Sequence, residues 1–598
     1  MQIVENPLLE LLKLIPASDE GLPTLLIAFD EAATLYTNGI DSGTGPGNET
    51  PYASIRRMLR GLRRHPVWSV FISTNARIDM FLPRKEHGSA RAVDGSDTEP
   101  FSSFELDIEC KERIHQWAEL ELCKEICKFA TVDHMTMFGR PLWRRYALQP
   151  YRELHSCVYM EMMGGHALFS ADNTHHAFMA VASRVCLDLR FNIHSLQFAR
   201  ETVDYHLRLL IGVDPESGML KTATPSEPVV ADVAATMLVH NDGSKSDMEG
   251  WATCINVLSG YLLGRGIVNS GNNGELFGRL LCVLARDQLP DGLSADEDFR
   301  YSRPFKVDMF LSELLGSGTV NGLINTELQR RPHGKFAEGT LPVWDEKFDF
   351  RQGWCNFNHF VFATQKLPRD RERLQNVIRR MLRRNAALQL ARFETDWDLL
   401  LPVYTGDINK PIERDHLSAI FIQFKDRQNS AKPTLATEYR DCFRPGQLVF
   451  CIQMEFGASW QNPSAHMQWP SCKRMRDESA QVSGPFVFGM QVFGADERTF
   501  PFLAKYPHLG KQCRKLVHTR TTKSDYPDEQ PVLQMLTGVD REDKGEAGGS
   551  NKVGYEGACG RGMGGNGRDD TVGMGMEVDV GEDIDGSIGD DLPMSGME

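Results

Sequence analysis

Two places in the chain set acidic, amide and cationic side chains at spacings that serve phosphate chemistry. In the first, the apolar run Leu25-Leu26-Ile27-Ala28-Phe29 ends in Asp30-Glu31. A carboxylate at the tip of a buried strand can hold the Mg²⁺ of a nucleotide, and the acid after it can polarise the attacking water. In the second, Asp398 opens the apolar run Leu399-Leu400-Leu401-Pro402-Val403, and Gln423 and Lys425 lie near the end of Ser418-Ala419-Ile420-Phe421-Ile422-Gln423-Phe424-Lys425. Residues two apart on a strand share a face, so Gln423 and Lys425 project together while Ile422 and Phe424 project the other way. An acid, an oxygen ligand from the neighbouring strand and a lysine are what metal-assisted phosphodiester hydrolysis needs. On this reading Asp398 binds the metal, Gln423 adds a neutral oxygen, and Lys425 positions the water and steadies the phosphate. The competing reading is an edge strand that exposes Gln423 and Lys425 to solvent, with Asp398 as a turn residue. A third acid is sought before the Asp398 strand, where Glu372 and Glu394 are the candidates.

The elements around the first pair have α/β punctuation. The 25–30 strand leads through a Gly-rich loop to a basic helix at Tyr52–His65, then to a second strand at Trp68–Ser73 that ends in Thr74-Asn75. This order has the form of a Walker B strand followed by a strand with a polar sensor tip. It makes Asp30 a metal and nucleotide ligand, Glu31 a catalytic acid, and Thr74 or Asn75 a nucleotide contact. The bland alternative is that both tips merely cap the next turn. The phosphates of a nucleotide need GxxxxGK[ST] on an earlier strand and helix, and nothing before Leu25 contains it. Gly43-Thr44-Gly45-Pro46-Gly47-Asn48-Glu49-Thr50 fails on chemistry, because Asn48 replaces the second glycine and Glu49 the lysine. The region is therefore expected to be a truncated P-loop NTPase-like unit that does not bind ATP.

With 598 residues and 41% apolar content, three or four ordinary cores are expected. No apolar run reaches the length of a membrane span and no secretory n-region opens the chain, so no membrane partner and an intracellular location, cytoplasmic or nuclear, are expected. The thirteen cysteines include no CxxC pair, which implies neither zinc nor a disulfide framework. Net charge is −15, but fifteen acids against five bases lie beyond Val539 and account for ten of those charges. The body is then only mildly acidic, and a nucleic-acid partner is not excluded. The tail from Thr537 is Gly- and Met-rich with almost no aromatics, a composition expected to remain disordered.

From about Tyr151 the pattern turns helical, with amphipathic runs at His175–Arg190, Ser195–Ile211, Val229–Leu238 and Gly274–Asp287. Ser226 and Pro228 mark a helix start. A further helix is expected over Arg369–Ala391, with a basic face of Arg369, Arg371, Arg373, Arg379, Arg380, Arg383 and Arg384 suited to a phosphate backbone.

Taken in order, LLIAFDEA, SVFISTNARI, PFSSFELD, FGRPLW, TPSEP, GELFGRLLCVLARD, DLLLPV and AIFIQFK resemble the fungal Crinkler-related proteins, which join a P-loop NTPase region to a restriction-endonuclease-like domain. The resemblance covers most of residues 20–500, and it rests on the order of the segments rather than on any one of them. It implies an α/β chain with a partial NTPase-like region over 1–150 and a mainly helical lid-like region over 151–345. A restriction-endonuclease-like domain over 346–510 and a mostly disordered acidic tail over 511–598 complete it. It also implies a Walker pair at Asp30 and Glu31 and a Mg²⁺-dependent nuclease core at Asp398, Gln423 and Lys425. The missing phosphate loop departs from the family and is expected of a truncated gene model, a split gene product or a decayed copy. The two functions expected are a nucleic-acid-directed nuclease, or a non-catalytic interaction protein descended from one.

Overall fold

The computed structural model describes residues 2–15, 23–37, 51–62, 64–72, 106–107, 125–214, 217, 219–239, 248–269, 273–289, 299–318, 320, 353–363, 365–391, 394, 396–425, 437–444, 447–456 and 485–518. It is a mixed α/β protein. The N-terminal part holds helix α1 (Gln2–Leu14), strand β1 (Leu25–Phe29), helix α2 (Pro51–Gly61) and strand β2 (Val67–Phe71). β1 and β2 pair in parallel, and Phe29 stacks on Phe71 at 4.8 Å, with Tyr52 of α2 edge-on to Phe71 at 5.1 Å. The expected strand–helix–strand order is present.

A helical layer follows: α3 (Tyr151–Met162), α4 (Thr174–Val185), α5 (Ile193–Tyr205), α6 (Pro228–Val239), α7 (Glu249–Val257), α8 (Asn273–Asp287) and α9 (Val307–Leu315). Two short ribbons interrupt it, β3 (Asp188–Leu189) with β6 (Val268–Asn269), and β4 (Leu209–Val213) with β5 (Leu220–Ala223). The expected helix over Ser195–Ile211 therefore ends at Tyr205, and its last residues enter β4. Pro228 occupies the first turn of α6, where its missing N–H leaves no intrahelical bond unmade.

The large sheet contains β7 (Phe305–Lys306), β8 (Trp354–Cys355), β9 (His359–Phe362), β10 (Ala386–Gln389), β11 (Leu399–Tyr404), β12 (Leu417–Lys425), β13 (Leu448–Glu455) and β14 (Phe486–Phe493). Its order is β14-β13-β12-β11-β10-β9, with β8 pairing with β11 and β7. β11 is antiparallel to both neighbours, whereas β12, β13 and β14 are mutually parallel. β9 and β10 are parallel and joined through helix α10 (Arg371–Arg383). Asp370 caps α10 by accepting the Arg373 N–H at 3.0 Å. The helix stops well short of Ala391, because Asn385 adopts a left-handed conformation (φ 51°) that ends it and turns the chain into β10.

Each face of the sheet has its own core. Leu399, Leu401, Ile420, Ile422, Phe424, Phe450, Ile452 and Met454 pack against the helical layer. Leu400, Ala419, Phe421, Val449 and Cys451 pack against Leu374, Ile378, Met381 and Leu382 of α10, which recur at helical spacing. The helical layer and the sheet thus share one interior. Phe277 of α8 lies edge-on to Phe456 at 4.9 Å, and α8 approaches β12 so closely that a Cβ on Gly278 would lie 2.0 Å from a Phe424 ring carbon. The last helix, α11 (Pro507–His518), places Leu509, Cys513 and Leu516 in that interior. It crosses position 510, where the sequence reading set the start of the tail; the disorder expected from Thr537 onward lies outside the described residues. Among the described residues no helix is long and apolar enough to cross a membrane.

Candidate active site

β12 ends in Ile422-Gln423-Phe424-Lys425, β13 in Ile452-Gln453-Met454-Glu455, and β14 in Met490-Gln491-Val492-Phe493. Parallel register sets Gln423 opposite Gln453, Gln453 opposite Gln491, and Lys425 opposite Glu455. Alternation decides the face. Ile422, Phe424, Ile452, Met454, Met490 and Val492 belong to the core under the helical layer, so Gln423, Lys425, Gln453, Glu455 and Gln491 project to the side of α10. Gln453, Glu455 and Gln491 are buried, and Gln423 and Lys425 are half-buried. The amide of Gln453 donates to Glu455 Oε1.

Asp398 meets this group from β11. Its own N–H donates to the Ile422 carbonyl at 2.9 Å, and its Oδ2 accepts the Phe424 N–H at 2.6 Å. The carboxylate therefore stands against β12 at the residue between Gln423 and Lys425. Burial pushes the Asp398 carboxyl above its ordinary range, while the Phe424 N–H and the Lys425 ammonium hold it partly back. The structure brings the three expected residues onto one short stretch of the β11–β12 hairpin.

The sequence reading missed Gln453, Glu455 and Gln491. Their signal was present in the repeated apolar–Gln–apolar ending of three strands, but the pairing that makes it meaningful is parallel and spans long connections. Of the two third-acid candidates, Glu372 turns outward to an exposed pair with Arg414 at 2.8 Å. Glu394 is buried at the entrance to β11, where burial and then the Glu394 carboxylate push the Tyr439 hydroxyl pKa upward. The donors near Asp398 are oxygens, the set that Mg²⁺ takes. Among the described residues no group of three His, Cys, Asp or Glu is placed to hold a metal, so a cation here would need an amide oxygen as well as carboxylates.

The basic helix is engaged with the protein itself at several points. Arg369 pairs with Glu438, and Arg371 donates to the Phe443 carbonyl at 3.0 Å. Arg384 donates to the Ser226 carbonyl at 2.7 Å and pairs with Asp107, and burial pulls its pKa down to about 10. Arg373 and Arg380 are exposed. Other segments that carried the resemblance are likewise tied into the interior. Glu227 of TPSEP accepts from the Arg140 N–H at 2.7 Å and from Trp143 Nε1 at 2.9 Å, both in FGRPLW. Asp287 of GELFGRLLCVLARD forms a fully buried two-pronged pair with Arg184 at 2.6 and 3.1 Å.

At the N-terminal pair, Asp30 and Glu31 are exposed on the turn after β1. Asp30 Oδ1 accepts the Glu31 N–H at 2.9 Å, and Glu31 has φ 47°. Thr74 and Asn75 lie outside the described residues. No family model, curated protein or solved structure matches the chain.

Proposed function

We propose that this protein is a Mg²⁺-dependent phosphodiesterase acting on nucleic acid, with its centre at Asp398, Gln423 and Lys425. The observation that carries the reading is the seating of the Asp398 carboxylate on the Phe424 N–H, between the two residues expected to act with it. Asp398 and the Gln423 oxygen would hold the cation. When bound, the cation supplies positive charge to the phosphoryl oxygens and acidifies the attacking water. Lys425 places a fixed positive charge where the non-bridging oxygens gain negative charge as water attacks. The water oxygen bonds to phosphorus as the bond to the leaving nucleoside oxygen breaks, and the proton lost from water balances the one that oxygen gains. Arg373 and Arg380 on α10 are the exposed cations available to the flanking phosphates. The finer assignment, an endonuclease-like β11–β12 hairpin joined to an NTPase-derived N-terminal region inside the cell, belongs to the same proposal.

A second reading, a non-catalytic interaction protein, is favoured by the internal pairing of Arg369, Arg371 and Arg384 and by the neutral Gln423. The test uses the full chain, because Phe424 packs on Gly278 and the 346–510 region does not own its core. Labelled single- and double-stranded DNA and RNA are incubated with wild type and Lys425→Ala in Mg²⁺ and in Mn²⁺, beside a binding assay at several salt concentrations. Metal-dependent product from wild type alone is expected. Salt-sensitive binding without product from either protein would establish the interaction reading instead. For the N-terminal pair, a fluorescent ATP analogue is expected to show no saturable site in this chain, and micromolar binding lost in Asp30→Ala would overturn that expectation.

A further inference from the structure

We infer that Glu455 is the second acidic ligand of this site, held in place by Gln453, so that metal ligation is divided between β11 and β13 with Lys425 between them. The inference rests on the phosphodiesterase reading and identifies a residue that the β11–β12 hairpin does not contain. A divalent cation bound by Asp398 and the neutral Gln423 oxygen would have one compensating charge; a second carboxylate is wanted within reach. The parallel register places one on β13, across β12 from Asp398. Glu455 is the direct neighbour of Lys425 on the adjoining strand, about 4.8 Å away across the ladder, and it projects to the same face.

Burial sharpens the argument. Glu455 has no solvent exposure, and a strand end of this kind is completed at least cost by an apolar residue, as Phe493 completes β14. A carboxylate is retained in such a place when something compensates its charge. Lys425 stands opposite it in the register. Gln453, two residues earlier on the same face, donates its amide to Glu455 Oε1, which fixes the direction of the carboxylate without neutralising it. Gln453 is thus a positioning residue and Glu455 the ligand it positions.

The test measures Mn²⁺ affinity by the loss of the free-ion electron paramagnetic resonance signal, on the full-length protein, with folding followed by circular dichroism. Glu455→Gln and Asp398→Asn are each expected to weaken Mn²⁺ binding about tenfold, and Glu455→Gln combined with Gln423→Glu is expected to restore it by placing the second acid on β12. Gln453→Met is expected to weaken binding less than Glu455→Gln does. Should Glu455→Gln not fold, Glu455→Asp takes its place, with the same direction expected. Wild-type affinity in the folded Glu455 variant, alongside its loss in Asp398→Asn, would overturn the role of Glu455 while leaving the phosphodiesterase reading intact. Mn²⁺ binding that depends on Glu455, with no cleavage of any substrate by wild type, would sustain the ligand and overturn the phosphodiesterase reading. A wild-type protein that binds no Mn²⁺ would overturn both.

Discussion

The Phe424 N–H donates to Asp398 Oδ2 at 2.6 Å, so a side-chain carboxylate rather than a backbone carbonyl receives this N–H of β12. One bond joins the end of the hairpin to the proposed chemistry. The side chain of Phe424 meanwhile lies in the opposite core, stacked on Phe456 at 5.8 Å. The position of the carboxylate is therefore coupled to packing on both faces of the sheet.

Lys425 is one of the two groups that counter the upward pull of burial on the Asp398 carboxyl. Replacing it with methionine removes a favourable charge and keeps most of the side-chain volume, so the carboxyl pKa rises further. Metal ligation needs the ionised form. The acid limb of Mn²⁺ binding is expected to move to higher pH in Lys425→Met, as read from titrations of wild type and variant; an unmoved limb would separate Lys425 from Asp398.

Gly278→Ala is expected to destabilise the protein by about 1–3 kcal/mol, the usual penalty for overpacking, because the new methyl group would enter the space of the Phe424 ring. Phe424→Leu vacates part of that space, and the double variant is expected to recover part of the loss. Chemical denaturation of the four proteins measures the coupling. Additive effects would show that the contact is not what excludes a side chain at 278.

Asp287 accepts both prongs of Arg184 and also the Trp251 indole N–H at 3.1 Å. Asp287→Ala leaves a guanidinium buried without its carboxylate, an uncompensated charge that costs about 3–5 kcal/mol. The variant is expected to unfold at much lower denaturant than wild type or to accumulate insoluble. Asp287→Ala with Arg184→Met is expected to be less unstable than Asp287→Ala alone.

His176 is buried, and burial, then the neighbouring His206 and His166, pull its pKa down to about 4. Burial also lowers His175 and His206. In the unfolded chain a histidine protonates near pH 6.5, so between about pH 6.5 and 4 the unfolded state binds a proton that the folded state refuses. Stability is therefore expected to fall as pH drops through that window, by at most about 1.4 kcal/mol per pH unit for each such histidine, and to gain no further loss from His176 below it. Thermal melts of wild type and His176→Phe between pH 7.5 and 4.5 check this, the variant being expected to show the shallower decline.

The hairpin was the most legible part of the fold. An apolar run over Ala419–Ile422 that ends in the alternation Gln423-Phe424-Lys425, and an apolar run opened by an acid at Asp398, define two strands and the faces of Gln423 and Lys425 from chain-local information. The helices over 228–239 and 273–287 were legible for the same reason, since periodicity and a proline start are local, whereas the run read over His175–Arg190 ends at Val185, where Cys186 is left-handed (φ 54°) and the chain turns into β3. Helix α10 was overextended because the basic pattern continues through Arg383-Arg384, and the feature that ends the helix, a left-handed Asn385, is a conformation rather than a residue type. The arginines read as a basic face for a phosphate backbone proved in part to be internal partners, since carbonyls and acids from distant segments reach them only after folding.

Residue types and local periodicity determined that Asp398, Gln423 and Lys425 lie near the ends of two strands, and that Gln423 and Lys425 share a face. They did not determine which strand would lie beside β12. That choice depends on crossover connections and on the helical layer that buries the far face, and its register carries Gln453 and Glu455 to Gln423 and Lys425. Strand neighbours in a parallel sheet are selected by the burial of whole faces, which sums contributions from segments far apart in the chain. The second carboxylate therefore became visible only in the tertiary structure.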